Sequence, residues 1–145
     1  MINKWIYKKL AAHRLAKAIK RDAMFESLKR TLEEWRTTYF KNIVFPIVIL
    51  EEKDFTAVSS LEEYVYDIDI HRVIDAGAEM IDSLGNRYKL MNLEKGQWVP
   101  IEKTGAIHFE ELRLRLTPML YMPKHKKEIG STKNIQEMLT LLYPY

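Results

Sequence analysis

The sequence predicts an α+β fold: an N-terminal helical pair packed on a small, mainly antiparallel sheet (a β-meander), with further helices at the C-terminal end. Three observations lead there. Residues 2–40 repeat apolar positions at helical spacing. Residues 43–50 (Ile-Val-Phe-Pro-Ile-Val-Ile-Leu) form a charge-free, β-branched run with no polar face, the pattern of a strand inside a core. Residues 78–102 read as three short strands separated by turn residues. Helices and antiparallel strands that are segregated along a chain belong to the α+β class rather than to a doubly wound sheet.

In the first helical stretch, residues 2–21, Ile2, Trp5, Ala12, Ala16 and Ile19 share one stripe, and Lys4, Lys8, Lys9, Arg14, Lys17, Lys20 and Arg21 occupy much of the rest. Residues 23–40 carry the period more strongly through Met24, Leu28, Thr31, Trp35 and Tyr39, widened by Leu32. At about 100° per residue the two stripes point roughly 140° apart. A bend near residues 21–22, with Asp22 capping the second helix, is therefore expected. The apolar run then contains Pro46, which has no N–H to give a ladder. Its strand is expected at a sheet edge under helical cover, or bulged at that point.

Residues 51–54 read as a solvated turn. Ser60 followed by Glu63 is a capping-box pattern and predicts a short helix from Leu61, with Leu61, Val65 and Ile68 inward. Residues 66–71 alternate apolar and polar, which leaves helix and strand both open. In the meander, residues 79–82 and 87–91 are joined through Gly85 and Asn86, which tolerate positive φ. Residues 97–102 form the third strand, with Trp98 as a core anchor and Pro100 marking an edge. Residues 109–120 are helical, with Phe109, Leu112, Leu116 and Leu120 on one side and Pro118 kinking or ending the helix. Residues 123–127 are expected to be a basic loop. Ser131 or Thr132 should cap a last helix, in which Ile135, Met138, Leu139 and Leu142 follow i, i+3, i+4, i+7.

A chain of 145 residues is expected to be one domain, residues 1–145, divided into a basic helical segment (1–41) and an α+β body (42–145). With 47% hydrophobic and 30% charged residues the composition is that of a soluble globular protein. The absence of cysteine excludes disulfides, thiolate metal sites and cysteine nucleophiles. No secretory signal or transmembrane segment is legible, so a cytoplasmic location is expected. The net charge of +3 conceals segregation: residues 1–41 carry +7, residues 51–82 carry −8 and residues 83–145 carry +4. The acidic stretch is expected to fold back beside the basic helices.

Three constellations bear on chemistry. On a strand, Asp67, Asp69 and His71 would share one face, and two carboxylates with an imidazole suit a divalent metal that activates water. The same residues also suit the wet face of a half-buried strand, and a helix would disperse them. They do not form a calcium loop, since Arg72 and Ala78 stand where glycine and glutamate are needed. Glu51 and Lys53 resemble the E-x-K element of restriction-type nucleases in those two residues. The aspartate that this family needs on a preceding strand is missing, because only Asp22 lies upstream. Finally, Lys8, Lys9, Arg14, Lys17, Lys20 and Arg21 offer an anion- or nucleic-acid-binding surface, a lipid-facing helix with Trp5, Ile6, Tyr7 and Leu10, or a site for an acidic protein. Lys124, His125, Lys126 and Lys127 extend that surface if the termini meet.

No nucleophile elbow, phosphate-binding glycine loop or H-E-x-x-H motif is present. The expected function is that of a small non-catalytic adaptor or regulatory protein that binds another macromolecule, with a protein partner first and nucleic acid second. No cofactor is expected, and an oligomer is compatible with the sequence. The alternative classes are a metal-dependent hydrolase or nuclease using Asp67, Asp69 and His71, and a phosphate-tracking nucleic-acid binder.

Overall fold

The computed structural model describes residues 4–19, 22–72, 74–94 and 96–143, without the side chains of residues 5, 7, 14–19, 22–24, 68 and 72. Two helices, α1 (Lys4–Ile19) and α2 (Asp22–Thr38), open the chain. The expected bend falls at residues 20 and 21, which lie outside the described residues, as does the Asp22 side chain. Five strands follow: β1 (Ile47–Leu50), β2 (Phe55–Val58), β3 (Glu79–Ile81), β4 (Asn86–Glu94) and β5 (Gln97–Ala106). They form one antiparallel sheet in the order β2-β1-β3-β4-β5.

The apolar run dictates how the sheet is covered. Successive strand side chains point to opposite faces, so a strand without a polar residue needs cover on both. Ile47 and Ile49 enter a cluster with Leu32, Trp35, Phe40, Tyr64 and Met80. Val48 and Leu50 enter a second cluster with Ile81, Leu112, Leu116, Met138 and Leu139. Helices therefore lie on both faces, α2 and its neighbours on one and the C-terminal helices on the other. The expected edge position of this strand is corrected, since β1 lies between β2 and β3. Pro46 is compatible with that interior place because it precedes the first ladder residue, and its carbonyl accepts from the Ser83 hydroxyl at 2.6 Å. The Phe45–Pro46 bond is cis. Phe45 stacks on Phe40, and Phe40 in turn on Trp35. The turn expected at residues 51–54 closes a β1–β2 hairpin, with Glu51 N–H donating to the Asp54 carbonyl at 2.9 Å. β2, which the sequence pattern did not signal, pairs along the whole of β1.

Helix α3 (Leu61–Tyr66) starts as its cap predicts, with Glu63 N–H donating to Ser60 Oγ at 3.2 Å. The Glu63 carboxylate takes the Ser59 hydroxyl at 2.6 Å. Residues 66–71 are not a strand: the chain turns at Asp67 into a second short helix, α4 (Ile68–Arg72). The Asp67 N–H bonds back to Glu63 O, and its Oδ1 accepts from Asp69 N–H at 3.0 Å. Local side-chain-to-backbone bonds of this kind override the period-two pattern.

The turn between β3 and β4 is built on Asp82, which is fully buried. Its Oδ1 accepts from Leu84 N–H and Asn86 N–H, and its Oδ2 from Val44 N–H and the Asn86 amide. Ser83 N–H donates to Val44 O at 3.0 Å. One aspartate thus shapes a hairpin and holds the segment that leads into β1. β5 is an edge strand, as Pro100 indicated, and the ladder shifts register between Lys89 and Leu90, opposite that proline. A proline and bulges discourage a further strand from adding to an edge.

Helix α5 (Phe109–Leu116) ends in a 3-10 turn at Thr117–Met119 containing Pro118. The expected basic loop at residues 123–127 is instead the start of a helix, α6 (Pro123–Gly130). Proline at a first helical position is preorganised and gives up no bonded N–H, and Ile129 anchors the helix in the core. The last helix, α7 (Ile135–Leu142), buries the four predicted residues. Its cap is Asn134, whose side chain accepts from Glu137 N–H at 2.8 Å, in place of Ser131 or Thr132. The two hydroxyls bond back to carbonyls of α6.

Gly85 adopts φ +82°, and a Cβ there would stand 2.8 Å from both Ile107 O and Ile135 Cδ1. Gly85→Ala should cost roughly 2–4 kcal/mol, combining the left-handed penalty with overpacking. Urea unfolding midpoints measure this; an unchanged midpoint would contradict the packing described here.

Candidate functional site

The sequence singled out Asp67, Asp69 and His71, and the structure does not present them on one face. Residues 68–72 are helical, and the His71 ring turns into the core, where it is buried. Trp98 N–H donates to His71 Nδ1 at 3.2 Å, so Nδ1 is the unprotonated nitrogen. Nε2 carries the proton and donates to Tyr64 O at 2.8 Å. The Tyr64 hydroxyl, itself buried, donates to Trp98 O at 2.6 Å. Both backbone polar groups of Trp98, on the edge strand, thus bond to side chains from α3 and α4. The imidazole lies edge-on to Tyr64 at 4.5 Å and to Trp35 at 5.8 Å between ring centroids. Asp67 caps the short helix by accepting from the N–H of Asp69 in its first turn. Among the described residues, no group of three or more histidine, aspartate or glutamate side chains is arranged to hold a metal ion.

Burial pushes the His71 pKa down, against the partly offsetting pull of the Tyr64 carbonyl and the Asp67 charge. A histidine held neutral contributes stability that is complete above its unfolded value near 6.5 and is lost as pH falls below it. Burial likewise raises the Tyr64 phenol. This set of side chains is a structural clasp between α3, α4 and β5.

Two carboxylate sites remain. Burial first, and then a hydrogen bond and charge repulsion from Asp75, push the Glu51 carboxyl up to about 7, with Asp54 adding to it. This is the glutamate of the E-x-K resemblance, and its acidic neighbour comes from the connection before β3 rather than from an upstream strand. Burial also acts to raise Glu79, but hydrogen bonds from Arg87 and Arg115 outweigh it and hold that carboxyl below the usual range. Arg87 binds both Glu79 oxygens at 3.0 Å, and Arg115 reaches Oε1 at 2.7 Å, fastening α5 to the β3–β4 pair. Arg36 on α2 meets Glu62 on α3 at 2.6 Å. The Arg36–Glu62 pair joins the acidic stretch to the N-terminal helices, whereas Glu79 is met by arginines of residues 83–145.

Of the basic residues named from the sequence, Lys8 and Lys9 are exposed on α1, and Lys8 Nζ lies 5.1 Å from the centre of the Tyr143 ring. Arg14 and Lys17 are on α1 with their side chains outside the description, while Lys20 and Arg21 lie outside the described residues. Sequence reasoning missed the connection between α5 and α6. There Tyr121 is 97% exposed, Met122 55% and, on α5, Leu114 66%. Lys124, Lys126 and Lys127 follow directly and are exposed on α6. The signal available was Leu114, an apolar residue off the buried stripe of α5, followed by an aromatic beside lysines. An open depression of about 770 Å³ lies between the end of α6 and the outer side of α7, and includes Glu128, Ser131, Gln136, Thr140 and Tyr143. No helix of the described residues is long and apolar enough to cross a membrane.

Compared with protein-family models, curated proteins and solved structures, the chain matches none of them.

NMR of ¹⁵N-imidazole groups should show His71 as the Nε2–H tautomer at neutral pH, titrating below 6.5; an Nδ1–H tautomer would break the clasp as described. Because the folded Glu51 holds its proton up to about pH 7, its contribution is complete below the unfolded value near 4.5 and is lost as pH rises towards 7. Glu51→Gln should therefore raise the melting temperature at pH 8 relative to wild type and have little effect at pH 4. Equal shifts at the two pH values would show that the folded Glu51 does not hold its proton above the usual carboxylate range.

Proposed function

We propose that this protein is a small non-catalytic adaptor or regulatory protein that acts by binding a protein partner. The observation that carries this reading is the α5–α6 connection, where Tyr121 and Met122 stand in water next to the exposed Lys124, Lys126 and Lys127, with Leu114 exposed on α5. Aromatic and methionine side chains are enriched at protein interfaces, where they serve as anchors in partner pockets. Methionine adapts to irregular surfaces. Lysines beside such anchors favour a partner with an acidic rim and speed its approach.

The polar groups inside the fold also support a binding role. The ring nitrogens of His71 and the carboxylate of Asp82 are committed to holding backbone segments, and Glu79 is committed to two arginines. A general base needs a free lone pair within reach of a substrate proton, and these groups spend theirs on the architecture.

A photo-crosslinking amino acid at position 121, in cells that make the protein, should capture one partner that the same probe at Thr104 does not. Purified, that partner should lose at least about tenfold in affinity for Tyr121→Ser with Met122→Ser, as expected for removing interface anchors, while the melting temperature is unchanged. Absence of a position-specific adduct, or an affinity insensitive to both substitutions, would remove this reading.

A further inference from the structure

Helix α1 presents an unusual outer face. Ile6 and Leu10, one helical turn apart, are 41% and 42% exposed. Residues three and four apart share a helix face, so Lys9 and His13, both exposed, flank this pair, and position 17, a lysine, continues the face. Lys8, on the opposite side of the helix, lies against the Tyr143 ring near the end of α7. That contact turns Ile6 and Leu10 away from the body. Residues 1–21 hold seven Lys and Arg and no acidic residue.

We infer that this face of α1 docks on an anionic lipid bilayer and lies in the plane of its interface. Two aliphatic side chains among cations match that surface on both counts. The aliphatic groups enter the boundary between headgroups and acyl chains, and the lysine stems follow them while their ammonium ends stay with the lipid phosphates and carboxylates. Each lysine near an anionic leaflet strengthens binding about fivefold. A nucleic-acid backbone would use the cations and leave Ile6 and Leu10 in water, since single strands bind by stacking on aromatic rings and by charge. At 16 residues α1 spans about 24 Å, short of a bilayer core of roughly 30 Å, so it lies on the membrane and does not cross it. This surface is separate from the α5–α6 connection, and each is tested without the other.

The test is co-sedimentation of the full chain with vesicles of phosphatidylcholine containing about one third phosphatidylserine, against phosphatidylcholine alone. Binding to the anionic vesicles only, weakened as salt is raised to about 0.5 M, is expected. Ile6→Ser with Leu10→Ser should reduce it about tenfold with the melting temperature unchanged. Because the chain has no cysteine, Leu10→Cys carries a single environment-sensitive dye, whose emission should shift to the blue on anionic vesicles and be quenched by brominated acyl chains. Failure to sediment, sedimentation of the double-serine variant equal to wild type, or a dye that stays in water would each overturn the inference. So would equal binding to DNA that ignores Ile6 and Leu10, which would identify a polyanion surface instead.

Discussion

A strand without a polar side chain has to be covered twice, and the rest of this structure follows from that requirement. Ile47 and Ile49 take one set of helices, Val48 and Leu50 the other. Burying a side chain of this size is worth about 1.5–3 kcal/mol relative to exposure, so leaving either face bare would cost much of a small domain's net stability. Helix α2, with α3 and α4, covers one side because Leu32 and Trp35 on its inner stripe join Leu61, Tyr64, Val65 and Ile70 there. The C-terminal helices cover the other because Leu112, Leu116, Met138, Leu139 and Leu142 are apolar at matching spacing.

Placing such a strand inside a sheet creates a second demand, since every backbone group at its margins needs a partner. Two devices meet it beside β1, and a third serves the far edge of the sheet. Asp82 gathers four donors, from the β3–β4 turn and from Val44 just ahead of β1. Ser83 adds a bond to each side of Phe45, through Val44 O and Pro46 O. Tyr64 and His71 take the outward N–H and carbonyl of Trp98 on the edge strand. Residue types usually associated with catalysis are thus spent on backbone satisfaction. A satisfied buried polar network rigidifies and specifies a core.

Charge is handled in the same two registers. Inside, Glu79 is matched by Arg87 and Arg115, and across the helices Glu62 is matched by Arg36. Outside, Lys8 rests on an aromatic ring while exposed apolar side chains stand beside lysines in two regions, on α1 and between α5 and α6. Both outer regions set exposed apolar side chains close in sequence to exposed lysines.

Periodicity and composition alone determined the fold class, the helical stripes of α2, α5 and α7, the serine cap of α3, the meander and the edge character of β5, because each depends on residues close in sequence. The sequence did not reveal β2, whose four residues signal a strand only once β1 lies alongside. Nor did it place β1 inside the sheet, since whether Pro46 falls in the ladder or one residue before it is decided by register. α6 looked like a loop because its lysines hide the single anchor, Ile129. The triad Asp67, Asp69 and His71 had an ambiguous period, and only the tertiary fold resolved it. The backbone N–H of Trp98, 27 residues away from His71, supplied a donor to satisfy, and the Tyr64 and Trp35 rings supplied the walls to pack against. A ring nitrogen's partner across that separation is set by how sheet and helices meet in space, and no local pattern encodes it.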